Sequence, residues 1–364
     1  MIRPIVAALL ALPAAAILGC GGAGSGEAPV ELPRTFFGVA PQDPTTEVDL
    51  ARMARGELGS YHLFLSWTRV GRQARSFDWS RYDELLRGLA VNELEPIAYA
   101  FGTPERFAQT PSTPPTVSER ALRGWERFLK AAATRYGPGG EFWERFAVTN
   151  PGVEPRPIRI WEIWNEVNAP AFWSPRPDPT DYATLLKRSE RSLHRIDPDA
   201  QIMVAGMFAT PSSEQAIQSF DYLAQLYAEP GVAGATDLVG VHPYGPRLGD
   251  VERQLEGTYE QMELGGDGSD GIWVTEIGWG SDPGVDSDLA TTPARQASLL
   301  GQAYELLIER RTEWNLQGAL WYTWRDPQDP ASVCGWCASA GLVDDDLDSK
   351  PAWREYTRLT GGEP

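Results

Sequence analysis

Ser80-Arg81-Tyr82-Asp83-Glu84-Leu85-Leu86-Arg87-Gly88-Leu89, followed by Pro96-Ile97-Ala98-Tyr99-Ala100-Phe101, changes its hydrophobic period within one short stretch. In the first part Tyr82, Leu85, Leu86 and Leu89 fall on one face of a helix that Ser80 can cap. The second part is a near-continuous apolar run, as in a parallel strand covered on both faces. The same alternation continues on either side. Strands are predicted at Phe36–Val39, Tyr61–Trp67, Pro96–Phe101, Ile158–Trp164, Ile202–Met207, Leu238–His242, Ile272–Ile277 and Gly318–Thr323. Further helices are predicted from Thr116 or Ser118 to the Gly137-Pro138 stop, over Asp181–Arg195 and Ser213–Ala228, from Thr292-Pro293 to near Trp314, and over Pro351–Leu359. Eight β/α units predict an α/β fold, a single (β/α)8 TIM barrel over residues 34–364. The alternative, an open doubly wound sheet, carries a Gly-rich phosphate loop after its first strand, and Phe37-Gly38-Val39-Ala40-Pro41 is not one.

Composition narrows the partners. Hydrophobic residues make up 42% of 364, enough for a sizeable core. The 36 Gly and 30 Pro stay below the roughly 25–30% share of low-complexity chains. Fifty acidic residues against 32 basic ones give a net charge of −18, which argues against nucleic acid and against a basic helix on anionic lipid. Fourteen Trp allow sugar-stacking platforms as well as a Trp-rich core.

Arg3 precedes an apolar stretch from Ile5 to Leu18, short for a membrane span and of signal-peptide length. Ile17-Leu18-Gly19-Cys20 resembles a bacterial lipobox, which implies a leader over 1–19 and a lipid on Cys20. Residues 20–33 have the composition of a flexible tether. The expectation is an exported, cell-envelope lipoprotein that meets the membrane only through that lipid. An ordinary secretory signal is the other reading. Cys334 and Cys337, spaced Cys-Gly-Trp-Cys in a loop after a late strand, are expected to form a local disulfide in an oxidising compartment.

Active sites of this fold lie at the C-terminal ends of the strands. Two carboxyls stand there in apolar surroundings: Glu166, ending Ile160-Trp161-Glu162-Ile163-Trp164-Asn165-Glu166, and Glu276, in Trp273-Val274-Thr275-Glu276-Ile277-Gly278-Trp279-Gly280. Strands four and seven lie nearly across the barrel, so both can reach one pocket. Glycosidic cleavage needs such a pair, one to protonate the leaving oxygen and one to attack or stabilise the sugar cation. Either Glu alone can equally be a buried ion-pair member. With strict alternation Glu162 shares the face of Glu166; it can pair with His62 or be turned outward by a bulge. The clusters Asp344-Asp345-Asp346 and Asp282–Asp288 lack the 12-residue calcium pattern, so no metal is expected.

Trp164-Asn165-Glu166 and Thr275-Glu276-Ile277-Gly278-Trp279 resemble the clan A glycoside hydrolases, in which an Asn-Glu pair follows strand four and a lone Glu follows strand seven. Phe142-Trp143, His242-Pro243-Tyr244 and Trp321-Tyr322-Thr323-Trp324 are similar to the cellulase-like and family 39-like branch, which includes exopolysaccharide hydrolases and β-xylosidases. The resemblance covers residues 36–357. It implies a retaining hydrolase of β-linked poly- or oligosaccharide, working without a cofactor, with Glu166 as acid/base and Glu276 as nucleophile. It further implies that Asn165 holds the sugar 2-hydroxyl, Tyr244 orients Glu276, His242 lines the rim and Trp321 floors the cleavage subsite. Phe172 and Trp173 would form an outer subsite or pack as core. This clan places an Arg five residues before a Trp after strand two. Here His62 stands before Trp67, and would brace the nucleophile as a titratable cation or point away from the site.

The competing reading is a non-catalytic carbohydrate-binding lipoprotein on the same scaffold. A phosphate-handling barrel would want Gly-rich or basic loops after strands seven and eight, and Gly278-Trp279-Gly280-Ser281 sits in acidic surroundings. A monomer is expected. Endo or exo action would be decided by Gly102–Pro115, Ala169–Pro179 and Asp326–Val343.

Overall fold

The computed structural model describes residues 32–71, 76–208 and 213–364. The 1–19 leader, Cys20 and all but the last two residues of the 20–33 tether lie outside the described residues. Eight parallel strands close a barrel in chain order: β1 (Phe37–Val39), β2 (Ser60–Ser66), β3 (Glu95–Phe101), β4 (Ile160–Ile163), β5 (Gln201–Phe208), β6 (Leu238–His242), β7 (Gly271–Ile277) and β8 (Leu316–Trp321). The seam pairs β1 with β8, Val39 opposite Trp321. Around it run α1 (Glu47–Arg55), α2 (Trp67–Val70), α3 (Ser80–Val91), α4 (Glu119–Tyr136), α5 (Glu141–Thr149), α6 (Pro179–Leu193), α7 (Ser219–Tyr227), α8 (Leu248–Gly265), α9 (Pro293–Glu309) and α10 (Pro351–Thr360). This is the single TIM barrel that the sequence predicts.

Local chemistry sets the boundaries. Ser118 caps α4 by accepting from the Ala121 N–H, and Thr292 does the same for α9 from Arg295. Three helices of nine or more residues were not predicted. α1 starts at a capping box between Thr46 and Asp49 that its short apolar stripe hid. α5 buries Phe142, Trp143 and Phe146 on one side, and α8 buries Gln254 and Thr258 beside Val251, Leu255 and Met262, a stripe too polar to read. α7 begins at Ser219 and not at Ser213, because Asn168 bonds Ile217 at both its N–H and its carbonyl and holds the segment open.

The barrel interior is apolar at one level, where Ala40, Ile97, Met203, Leu238, Trp273 and Leu320 pack together. Trp273 can cross this space because Gly318 has no side chain; a Cβ there would lie 2.4 Å from its ring. The interior also holds Glu162 and His62, 0% and 2% exposed.

Candidate active site

β4 stops at Ile163 because Trp164 and Glu166 turn into the left-handed region, with φ of 79° and 40°. Such a backbone costs about 1–3 kcal/mol for a side-chain-bearing residue and needs its surroundings to impose it. They do. The Trp164 N–H donates to the Ala100 carbonyl and its indole to the Phe172 carbonyl at 2.7 Å, while its ring packs on Phe101, Trp125 and Trp173. The Glu166 N–H donates to the Gly206 carbonyl of β5 at 3.0 Å. Glu166 thereby leaves the strand's alternation and projects into the barrel mouth.

Glu276 reaches the same mouth by a different device. Val274 pairs with Ala319 and Ile277 with Trp321, so β7 carries one more residue than β8 over this interval. A bulge of this kind re-aims a side chain at a barrel rim. A second one on β5 lies between Val204 and Met207.

His242, at the end of β6, is the link. Its Nδ1 lies 3.0 Å from Glu166 Oε1 and 3.6 Å from Glu276 Oε2. The Tyr244 hydroxyl donates to Glu276 Oε2 at 2.7 Å. The three ligand-type atoms of Glu166, His242 and Glu276 all lie within 4.8 Å of one another, a set that a divalent cation could also engage. The hydrogen bonds already account for how these side chains are held. Burial raises the proton affinity of Glu166, and the bond from His242 only partly offsets it. Burial alone would lower the His242 pKa; the charges of Glu276, Glu166 and Glu162 outweigh it and push it up to about 9. Burial and the neighbouring Glu276 also hold the Tyr244 phenol well above its ordinary value, so it stays a donor.

Asn165 is 7% exposed beside this cluster, and its Oδ1 finds no partner among the described residues. Glu162 is not turned outward. Its Oε2 meets His62 Nε2 at 2.7 Å and its Oε1 accepts the Gly206 N–H at 2.6 Å. His62 is therefore not placed against Glu276. Glu162 holds it, and its ring packs on Tyr99 with centroids 4.4 Å apart.

Two aromatic expectations are corrected. Trp321 has no exposed surface, packs on Trp279 and donates its indole N–H to the Ala340 carbonyl. Leu320 faces the barrel interior, so its neighbour Trp321 faces the helices and Tyr322 returns to the mouth. Tyr322 is half-buried and its hydroxyl donates to Gln42 Oε1. Counting parity from Leu320 would have found it. Trp173 is 1% exposed, edge-on to Trp164 and Tyr182, and is a core residue; Phe172 beside it is half-buried. Cys334 and Cys337 are joined in a disulfide, Cα atoms 5.1 Å apart. The Trp336 between them gave no signal as a site residue, yet its ring centroid is 5.1 Å from Tyr244 and 5.8 Å from Tyr322. A groove of about 880 Å3 follows the loops after β2 and β3 past Thr68, Thr103, Arg106 and Pro111. Glu166, His242 and Glu276 do not line it.

No protein-family model matches the chain, and no curated protein does. Solved structures do. A family 39 glycoside hydrolase from Bacteroides cellulosilyticus WH2 superposes with a TM-score of 0.64 at 17% identity, covering 91% of this chain and 65% of its own. The monomeric β-xylosidase from Caulobacter crescentus CB15 gives 0.60 at 19% identity, over 89% and 68%. A GH5_18 variant from Bifidobacterium longum, solved in complex with Manβ1-4GlcNAc, gives 0.61 at 13%, over 89% and 77%. The chain thus spans just under two thirds of the first of these. It shares its fold with clan A (β/α)8 glycoside hydrolases.

Proposed function

We propose that the chain is a retaining glycoside hydrolase acting on a β-linked poly- or oligosaccharide. The observation that carries this is the pairing of Glu166 and Glu276 across the mouth, with carboxylate oxygens within 4.8 Å. Retaining enzymes hold their carboxyls about 5–5.5 Å apart, and inverting ones about 6.5–9.5 Å, to leave room for a water.

In the first step an oxygen of Glu276 attacks the anomeric carbon. The bond to the leaving oxygen breaks and Glu166 gives that oxygen its proton, leaving a glycosyl ester on Glu276. In the second step Glu166, now ionised, takes a proton from water as the water oxygen attacks the same carbon and frees Glu276. Tyr244 occupies Oε2, which leaves Oε1 to attack. The burial that raises the Glu166 pKa keeps its proton available for the first step. Asn165, next to Glu166 in the chain and 7% exposed, is the residue that bonds the sugar 2-hydroxyl in this reading.

The test is hydrolysis of a β-glycan panel with product stereochemistry read by NMR. Glu166→Ala should slow substrates with poor leaving groups by about 10²–10⁴-fold and spare activated aryl glycosides. A 2-fluoro sugar should label Glu276. Inversion, or a label elsewhere, overturns the mechanism; binding without turnover favours the non-catalytic reading. We also propose export with a lipid on Cys20, supported by residues 1–20 alone. Cys20→Ser should then move the protein from the membrane fraction to the soluble one.

A further inference from the structure

The segment after β8 is anchored at both ends, upstream through the Thr323 hydroxyl on the Ala40 carbonyl, the Trp324 indole on Asp49 and the Lys350 ammonium on Asp326. Its downstream end is tied down by several donors. The Cys337 carbonyl accepts from Gln42 Nε2 at 3.2 Å, and the Ser339 carbonyl from Ser281 N at 2.9 Å and Lys350 Nζ at 2.8 Å. The Ala340 carbonyl accepts from the buried indole of Trp321 at 3.0 Å. Cys337 itself is 6% exposed. The middle is different: Gln328–Ser332, Cys334 and Gly335 are exposed, and the hydrogen bonds of Asp329–Ser332 are local. The disulfide joins exposed Cys334 to buried Cys337 around Trp336.

Trp336 is half-buried and stands edge-on to both Tyr244 and Tyr322, at interplanar angles of 66° and 61°. Tyr244 holds Glu276 by its hydroxyl, so the indole stands one side chain away from that carboxylate. Its carbonyl comes close to Gly280, on the loop after β7, where a Cβ would lie only 2.5 Å from it. Among the described residues no acceptor takes the indole N–H. A half-exposed flat ring with an unspent donor, at the edge of a polar cleft, suits a sugar ring: its C–H face can pack on the indole and a hydroxyl can accept the N–H.

We propose that Trp336 is a substrate-contacting residue and that the Cys334–Cys337 disulfide is the positioning element that holds it at the cleft. This rests on the glycoside hydrolase reading for the identity of the ligand as a sugar. A four-residue ring has few conformations of its own, so closing it fixes the indole before substrate arrives. Binding then need not order the loop, which is where a preorganised site gains affinity.

Two readouts on the full chain separate this from the hydrolase reading. Binding of xylohexaose, mannohexaose and cellohexaose is measured by calorimetry in a Glu276→Gln background, and turnover of the same sugars in the wild-type chain. For the sugar that binds, Trp336→Ala should weaken binding roughly tenfold and raise KM with kcat held within about threefold, and Trp336→Phe should recover most of the loss. Cys334→Ser/Cys337→Ser should weaken binding by a similar factor and add nothing in the Trp336→Ala background, a coupling that a mere loss of stability would not produce. Unchanged binding in Trp336→Ala, or additive losses in the combined variant, overturns the proposal, as does failure of all three sugars to bind. Binding that depends on Trp336 without any hydrolysis upholds it and sinks the hydrolase reading instead.

Discussion

His242 stands between the two carboxylates, so its charge sets the conditions under which each of them works. Protonated, it stabilises ionised Glu166 through the 3.0 Å bond and lies 3.6 Å from Glu276. The groups facing it from neighbouring elements are Glu162 on β4, Thr275 on β7, Tyr244, and the two catalytic candidates. His242→Asn removes the cation. Glu166 should then hold its proton to higher pH, and the alkaline limb of the kcat/KM profile should move upward, with a lower maximum. A downward shift of the alkaline limb would contradict this arrangement. Stability follows the same proton. The folded pKa is raised from 6.5 to about 9, so the contribution of the imidazolium is complete below pH 6.5 and is lost as pH rises through about 9. The difference in melting temperature between wild type and His242→Asn should narrow across that window. At this scale the sequence showed which residue types meet, since Asn165, Glu166, His242, Tyr244 and Glu276 all arrive at one mouth. It did not show which ring faces it. Trp321 and Tyr322 are adjacent aromatics at a strand end, and composition cannot tell them apart; parity can.

At the scale of the strand, β5 does more than fill a place in the barrel. Gly206 gives its N–H to Glu162, takes the N–H of Glu166 on its carbonyl, and leaves room for His242. A Cβ at Gly206 would lie 2.2 Å from His242 Nε2 and 2.6 Å from Thr275 Oγ1. Gly206→Ala should cost about 1–3 kcal/mol in chemical denaturation, as overpacking in a filled interior does, and should shift the activity profile as His242→Asn does. The pair beneath behaves differently. Glu162→Ala strips His62 of its partner in a fully buried setting and should cost roughly 3–5 kcal/mol. Strands were legible because burial on both faces writes an unbroken apolar run. Their irregularities were not: the positive φ of Trp164 and Glu166 and the bulges on β5 and β7 arise from neighbouring strands, and those are far away in sequence. Glu162 is the instance that matters. Simple alternation left its direction open, and the break after Ile163 frees it to stay inside while Glu166 goes to the rim.

For the molecule as a whole, the weakest place is β1, whose ladder with β2 is shorter than its three-pair seam with β8. β1 has three residues, and two of them pair with β2. Helices reinforce it from outside. The Tyr356 hydroxyl of α10 donates to the Gly38 carbonyl at 2.7 Å, and Phe37 stacks on Tyr304 of α9 and meets Tyr356 edge-on. The same hydroxyl lies 2.9 Å from the Tyr304 hydroxyl, so Tyr356→Phe removes two hydrogen bonds and should lower stability by about 1–3 kcal/mol. Deleting Pro351–Pro364 should remove the cooperative transition altogether, seen as a broad melt with exposed apolar surface. A sharp wild-type-like melt would show that the seam closes unaided. The eightfold repeat of the fold was plain in the sequence, but this dependence was not, because the last predicted helix gave no sign of which strand it would cover.

The clamp on β1 also has a meaning in time. The Tyr356–Gly38 bond joins positions 318 apart, so the first strand cannot gain its outer cover until nearly all of the barrel has been made. A chain emerging from its N-terminal end holds β1 against β2 alone for most of its synthesis, with one edge open. Contacts this distant form slowly, and an unpaired edge left waiting is where misassembly starts. Any factor that shields the nascent chain would have to stay bound until α10 has emerged.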